Sequence, residues 1–442
     1  MEKNYVDVQE RLPLLKSIPL SVQHLFAMFG ATVLVPMLTG LDPAIALFTS
    51  GIGTLIFILV TKAQIPAYLG SSFAFIASIM YAVKTWGYEA ALAGAFAAGL
   101  VYILVSLVIM WLGTGWIERL LSPVVVGSVI IVIGLGLAET ALDMAGLLPG
   151  EGGEIINIFS SPEVWVSLFT LAVAIVVSIF FKGFLGVIPV LIGIVAGYVL
   201  SLALNLIDLT PVQEASWFAL PNFTSPLGLL LNNPKAALPA MVLMAPVAIV
   251  TLAEHIGDIL VLSNVVGRPY IKEPGLHRSI LGDGIATAVA SFFGGPPNTT
   301  YGENVGVLAI TRVYSVWITG GAAVLAIMLG FVQKVGALIQ TIPAPVMGGI
   351  SILLFGIIAS SGLRMLVQSG IDYSQKRNLV ISSVILVLGI GGGAISIGSF
   401  ALHGMPLATV IGVLLNLILP GEGGLAEIAA DGDQSGEEEE RG

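Results

Sequence analysis

Fourteen apolar runs, separated by short polar breaks, decide the solvent in which this 442-residue chain folds. They lie near residues 17–38, 43–61, 65–82, 88–111, 123–146, 163–181, 185–208, 236–263, 279–294, 298–312, 313–333, 335–360, 377–398 and 403–420. A helix needs about 20 apolar residues to cross the hydrocarbon core of a bilayer, and most of these runs meet that length. With 56% hydrophobic and only 10% charged residues, the chain carries more apolar surface than a water-facing protein of this size can hide. In lipid every backbone N–H and C=O must be satisfied within the protein, and runs of this length do so as helices. The expected fold is therefore an all-α polytopic membrane protein with fourteen transmembrane segments. The first run is long enough to stay in place as a spanning helix rather than to be removed as a leader.

The placement of charge tests that count. With the N-terminus in the cytoplasm, the inner side collects Lys3, Arg11, Lys16, Lys62, Arg119, Lys182, Arg268, Lys272, Arg278, Arg312, Arg364, Lys376, Arg377 and Arg441. The outer side keeps only Lys84, Lys235 and Lys334. Fourteen against three is the bias of positive-inside topology, and it places both termini in the cytoplasm. The formal charge of −10 misleads, because the stretch from Glu422 onward contributes −7 and leaves −3 for the rest. That tail, ending in the Glu437–Glu440 run, is expected to be a disordered, solvated end, with an acidic docking segment as the alternative.

Two internal echoes organise the spans. Gly70-Ser71-Ser72-Phe73-Ala74-Phe75 has the pattern of Asn298-Thr299-Thr300-Tyr301-Gly302-Glu303, 228 residues later: a small or amide residue, two hydroxyls, an aromatic, then a small residue. Pro123-Val124-x-x-Gly127 followed by Gly134 recurs with identical spacing as Pro345-Val346-x-x-Gly349 followed by Gly356. Two echoes in one order at nearly equal offsets indicate duplication. Seven spans per copy is an odd number, so the second copy lies upside down relative to the first. Inverted repeats place a solute site near the bilayer midplane, where interrupted segments of both halves meet. The third run, with Pro66 at its start, and the tenth, which follows Pro296-Pro297, are such a pair. Irregular backbone at that depth is tolerated where it is buried in protein or lines a cavity.

The residues able to carry chemistry cluster in the second copy. Glu254 and Asp258 are four apart on one face of the eighth span, with His255 about a quarter-turn away. Ionisable groups inside a span are costly and functional by default. The bland reading is a buried structural pair, or for His255 a hydrogen bond to a neighbouring helix. Glu303 stands beside Gly302 with no cation nearer in sequence than Arg312, the setting of a carboxyl ready to exchange a proton. Phe73 and Tyr301 offer flat faces to a ring, and extended backbone at Ser72–Ala74 and Tyr301-Gly302 leaves N–H groups for a solute's carbonyl oxygens. Phe75 is expected to be packing. Asp283 reads as ambiguous, a residue of structural use near the inner surface. His24 is expected to bond to another helix, and His277 and Arg278 to set topology.

Several classes lose support. Cysteine is absent, which removes disulfides and thiolate chemistry. Glu-His-Ile-Gly-Asp (254–258) is not a HExxH zinc motif, no phosphate-cradling GK[ST] loop occurs, and four scattered histidines argue against a metal centre. No basic patch supports nucleic-acid binding. No cofactor is expected.

The motifs resemble those of the nucleobase–ascorbate transporters, the second class of nucleobase:cation symporters, and most closely their bacterial uracil-permease branch. The likeness covers nearly the whole chain apart from the acidic tail. It is carried by Pro66–Phe75, Ala253-Glu254-His255-Ile256-Gly257, and Pro297–Gly306 continuing to Thr311-Arg312. It implies short extended strands interrupting spans 3 and 10. It implies a core of residues 1–112 and 236–333, a gate of residues 113–235 and 334–420, and 421–442 as the tail. It also implies a homodimer in the cytoplasmic membrane of a bacterium, importing uracil by proton symport. Carried over residue by residue, Glu254 and Glu303 would bond the ring N–H groups. The backbone at Phe73, Tyr301 and Gly302 would meet the ring carbonyls, and Glu254, Asp258 and Glu303 would hold the coupling proton. Two positions depart from the uracil pattern: Asp258 stands where histidine is usual, and Phe355 where tyrosine is. Asp258 is similar instead to the Glu-x-x-Gly-Asp of purine-transporting members, so xanthine or another base, with sodium in place of the proton, is the alternative. An anion carrier on the same scaffold is disfavoured by three carboxyls, and an intramembrane enzyme by the want of a nucleophile–base pair.

Overall fold

The computed structural model describes residues 5–149, 161–397 and 400–420; the acidic tail lies outside them. The fourteen segments are recovered as α1 (Leu14–Thr39), α2 (Pro43–Val60), α3 (Ile76–Trp86), α4 (Tyr88–Leu112), α5 (Pro123–Leu135), α6 (Pro162–Phe180) and α7 (Pro189–Ala203), then α8 (Pro234–Val266), α9 (Leu276–Phe292), α10 (Gly302–Thr311), α11 (Val316–Gly330), α12 (Ala344–Gln368), α13 (Lys376–Ile390) and α14 (Met405–Ile418). Prolines 43, 123, 162, 189 and 234 open their helices, where the missing N–H is no loss. The Asp42 carboxylate accepts from Ala44 N at 2.8 Å and caps α2. Gly40 and Gly267 close α1 and α8 with φ of +74° and +76°, a conformation that costs glycine nothing.

Among the described residues seven helices are long and apolar enough to span alone. The other segments are shorter or broken. Strand β1 (Leu69–Ser71) precedes a 3-10 turn at Phe73–Phe75 and α3; strand β2 (Asn298–Thr300) precedes α10. Interruption of spans 3 and 10 by short strands is thus observed.

Three boundaries shift. The fifth run, 123–146, divides at Gly136 into α5 and a short helix Ala138–Met144. The twelfth run, read as starting at 335, divides into a short helix Gln333–Gln340 and α12, because Pro343 and Pro345 forbid one continuous helix. The short helix turns 81° from α11. The thirteenth run ends early: α13 stops before Gly391-Gly392-Gly393, and β3 (Ala394–Ile397) pairs antiparallel with β4 (Phe400–His403). Ala-Ile-Ser-Ile is as apolar as the helix it follows, so hydrophobicity alone ran the span through it.

Packing divides the chain into two compact units: residues up to Leu107 with Leu137–Leu354, and Val108–Gly136 with residues from Phe355 on. In the first, α2 lies against α9 and α11. A Cβ on Gly99 would stand 2.7 Å from Ala288 N, and one on Gly94 2.7 Å from Ala240 O, so α4 approaches α9 and α8 nearly backbone to backbone. Small residues at helix crossings are how membrane helices gain contact without a hydrophobic drive. In the second unit, Gly127 meets Gly362 with α5 against the latter part of α12, and Asn416 of α14 bonds Ser122, Arg119 O and Arg377.

Candidate functional site: the crossing of two broken spans

The first unit brings the two interrupted segments together. β1 and β2 pair antiparallel, Leu69 with Thr300, Gly70 with Thr299 and Ser71 with Asn298. Tyr301 N to Tyr68 O (3.0 Å) and Ser72 N to Pro297 O (2.9 Å) extend the ladder. Each strand's outer edge is satisfied by one threonine of the preceding helix. Thr54 Oγ1 of α2 accepts from Leu69 N at 2.9 Å, and Thr287 Oγ1 of α9 accepts from Asn298 N at 3.1 Å and donates to Asn298 O at 3.0 Å. A sheet of six residues survives in the membrane interior because no polar edge is left facing lipid.

The crossing is tight at Gly70. A Cβ there would stand 2.5 Å from Tyr301 Cε2 and 2.8 Å from Thr32 Oγ1. The Tyr301 ring lies across β1 and its hydroxyl donates to Ser71 O at 2.9 Å, while Thr32 donates to that hydroxyl at 3.4 Å. Its side chain therefore serves the crossing, and its free face is less available for stacking than the sequence suggested. Beyond the strands, the antiparallel register sends the 3-10 turn leading into α3 off one end of the sheet and the first turn of α10 off the other, and the leading N–H groups of such turns have no intrahelical acceptor.

Helix α8 passes alongside. Thr300 Oγ1 donates to Asp258 Oδ2 at 3.0 Å and lies 3.3 Å from His255 Nδ1. A Cβ on Gly302 would lie 3.6 Å from Asp258 Oδ1, so the start of α10 faces the α8 carboxyl. Glu254 is one turn earlier on the same face. Glu254, Asp258 and Glu303 are all half-buried, Gly302 is exposed, and Phe73 and Tyr301 are buried. The Glu303 carboxyl turns back on its own backbone N–H, and no hydrogen bond from another described residue reaches it or Glu254. Glu254, Asp258, Tyr301, Gly302 and Glu303 thus lie about the β2–α10 side of the crossing, and Phe73 opens the turn that follows β1.

The sequence reading missed the depth of Asp283. It is buried in α9, 1% exposed, with Oδ2 2.8 Å from His255 Nδ1, rather than near the surface. Gly282 and Gly284 admit it, since a Cβ on either would press on Phe57 or Tyr102. An Asp between glycines in an apolar run was the available signal. In the sequence Thr300 is one hydroxyl of the echo; its link between Asp258 and His255 emerges only from the fold. His24 behaves as expected: fully buried in α1, it accepts from Asn304 Nδ2 at 3.1 Å across to α10.

The sequence profile described as "Permease family" matches residues 15–397. The chain belongs to this permease family. It is the nucleobase–ascorbate transporter family to which the motifs pointed. Among relatives, the chain is 58% identical to a uracil permease of Bacillus caldolyticus over 98% of its own length and 99% of the relative's. It is 56% identical to one of Bacillus subtilis (91% and 92%) and 48% identical to one of Escherichia coli (95% and 94%). The transmembrane domain of the cyanobacterial bicarbonate transporter BicA shares the fold at 16% identity, with a TM-score of 0.59, covering 93% of this chain and 98% of that one. The murine anion transporter Slc26a9, in an inward-facing state, gives 0.68 at 11% identity, covering 92% and 68%. The family member is accordingly a multi-pass membrane protein built as two inverted repeats of seven spans.

Proposed function

We propose that this protein imports uracil by proton symport, with alternating access. The observation that carries the reading is the pair of half-buried carboxyls, Glu254 on α8 and Glu303 at the start of α10, flanking a strand crossing in a chain 58% identical to a uracil permease. A pyrimidine ring presents alternating N–H donors and C=O acceptors. Carboxyl groups answer the donors, and the leading N–H groups near Phe73 and at Tyr301-Gly302 answer the acceptors. A proton taken up at Glu254, Asp258 or Glu303 lowers the cost of carrying charge in a low-dielectric site and ties the gradient to loaded return. The core (1–112, 236–333) moves against the gate (113–235, 334–420) about the helices opened by Pro123 and Pro345. That division is the one the family resemblance implies, whereas the two compact units follow close packing.

Asp258 favours a second reading, a purine base such as xanthine with sodium coupling. The anion-transporting neighbours share the scaffold alone; three carboxyls at the crossing repel an anion. We place the protein in the inner membrane of a bacterium, both ends cytoplasmic, as a homodimer without enzymatic activity. The deciding experiment is uptake of radiolabelled uracil into proteoliposomes under an imposed pH gradient, with a panel of unlabelled bases as competitors. Uracil uptake driven by external acid is expected. Uptake that ignores the pH gradient and needs sodium, or that xanthine alone displaces, replaces this reading with the second.

A further inference from the structure

The cytoplasmic ends of the site-bearing segments are joined by a short stretch of chain that precedes every span. Residues 6–8 run parallel to residues 312–316, the link between α10 and α11: Val6 N donates to Arg312 O, Tyr314 N to Val6 O and Val316 N to Val8 O, each at 2.9 Å. Val8 is fully buried. Asp7, between the two valines, accepts from Arg268 Nη2 at 2.6 Å, and Arg268 immediately follows the glycine that closes α8. Gln9 Nε2 donates to Ala63 O beyond α2 (3.3 Å), Ser315 Oγ donates to Glu10 O (2.6 Å), and the Arg11 guanidinium carbon lies 3.8 Å over the Trp317 ring. Six consecutive residues thus bind the inner ends of α2, α8, α10 and α11.

The lever is symmetric. Asp258 lies ten residues before Arg268 and Glu303 nine before Arg312, so each carboxyl stands roughly 14–15 Å along its helix from its attachment to the strap. Between them lies a buried apolar cluster including Ile259, Leu262, Tyr270, Val305 and Leu308. A packed core transmits displacement because it resists compression. Nearer the site, the Thr300 hydroxyl links β2 to α8.

We infer that the segment Val6–Arg11 is a cytoplasmic clasp, with Asp7 and Arg268 as positioning residues that hold the spacing of α8 and α10, and hence of Glu254 and Glu303, throughout the transport cycle. The inference rests on the transport reading for its substrate. The clasp stays closed as the solute passes. Loosening it raises the KM for uptake and spares the maximal rate, because it blurs the site and leaves the moving parts alone.

The chain contains no cysteine, and Asp7 and Arg268 are 33% and 39% exposed beside a cavity of about 500 Å³. Both positions are therefore open to thiol reagents without background. Asp7→Arg and Arg268→Asp are each expected to raise the KM up to about fivefold, the ceiling for a partly exposed ion pair. The double reversal should return it toward the native value. In Asp7→Cys/Arg268→Cys the KM should rise and then fall again once a short bifunctional methanethiosulfonate bridges the thiols, with the maximal rate kept. Single reversals with native KM, a double reversal that does not recover, or a bridged protein that stops transporting would each overturn the clasp. If the unmodified protein takes up no uracil, the transport reading fails. The clasp is then judged by nitroxide labels at Val261→Cys and Ile310→Cys, exposed on α8 and α10. Their distance distribution broadens in Asp7→Arg if the clasp holds the helices, and is unchanged if it does not.

Discussion

The two arms of the crossing are alike in backbone and unlike in chemistry. Both offer a strand of three residues, a proline before it, a threonine from the preceding helix on its outer edge, and a helical turn starting just beyond. The first arm reads Gly70-Ser71-Ser72-Phe73-Ala74-Phe75 and has no ionisable group. The second puts Glu303 where the first has Phe75, and Thr300 where it has Ser72. Charge in the first four spans is confined to the ends and links, at Lys16, Asp42, Lys62, Lys84 and Glu89. The second repeat instead carries Glu254, Asp258, Asp283 and Glu303 within its helices. Duplication supplied a symmetric frame, and at the crossing only the second arm carries a carboxyl. On the proposed function, a single loaded face binds one flat solute in one orientation, while the unloaded arm supplies shape.

The sharpest way to break this comparison is to exchange the character of the matched positions. Glu303→Gln keeps the size of the side chain and removes the charge and the titration. Truncating a charge-assisted contact in a desolvated site costs about 2–5 kcal/mol, so binding of labelled uracil should weaken roughly thirtyfold or more. Phe75→Leu, at the matched buried position, should cost only about 1 kcal/mol of stability and leave affinity near native. Equal losses at both positions, measured by scintillation proximity on purified protein, would mean that chemistry is shared between the arms.

A finer cut uses the matched hydroxyls. Thr300 Oγ1 bonds Asp258 and neighbours His255, whereas Ser72 Oγ is buried with no hydrogen-bond partner among the described residues. Thr300→Val keeps the shape and strips Asp258 of its donor, at a cost of about 1–3 kcal/mol. The pH profile of uptake should shift with it. Ser72→Ala removes a polar atom that bonds nothing and should change stability by less than about 0.5 kcal/mol, with the profile unmoved. A shift in the Ser72 variant comparable to that in Thr300→Val would show that both arms reach the titrating groups.

Much of this was legible in the sequence, for identifiable reasons. Run length and the lysine and arginine bias gave the spans, because the bilayer imposes both. The GSSFAF and NTTYGE echo gave the crossing, because prolines and hydroxyls at membrane depth need a partner. Glu254, Asp258 and Glu303 stood out because charge in a span is expensive. What stayed hidden depends on contacts between distant residues. The burial of Asp283 follows from α9 lying against α2 and α4, the commitment of the Tyr301 ring from the absence of a Cβ on Gly70, and the β3–β4 hairpin from glycines inside an apolar run. The strap at residues 6–11 offers only the Val6-Asp7-Val8 alternation, too short to mark a strand; its backbone partners reveal it.

The second echo offers the mildest test, because its two copies differ in packing while matching in spacing. Gly134 sits where a Cβ would come 2.7 Å from Ala359 N, against backbone that cannot yield. Gly356, its counterpart, has nothing within 4 Å of such a Cβ. Gly134→Ala should therefore destabilise by about 1–3 kcal/mol through overpacking. Gly356→Ala relieves the entropy cost of a mid-helix glycine and should be neutral or stabilising by about 0.5–1 kcal/mol. Thermal denaturation of the two variants in one detergent compares them directly. A Gly356→Ala protein that melts as early as Gly134→Ala would mean that this glycine is needed for a reason other than space, and a candidate reason is motion: a helix opened by Pro345 and relaxed at Gly356 bends more easily than one carrying alanine. Native melting with slowed uptake in that variant would assign the second copy of the echo to movement and the first to close packing.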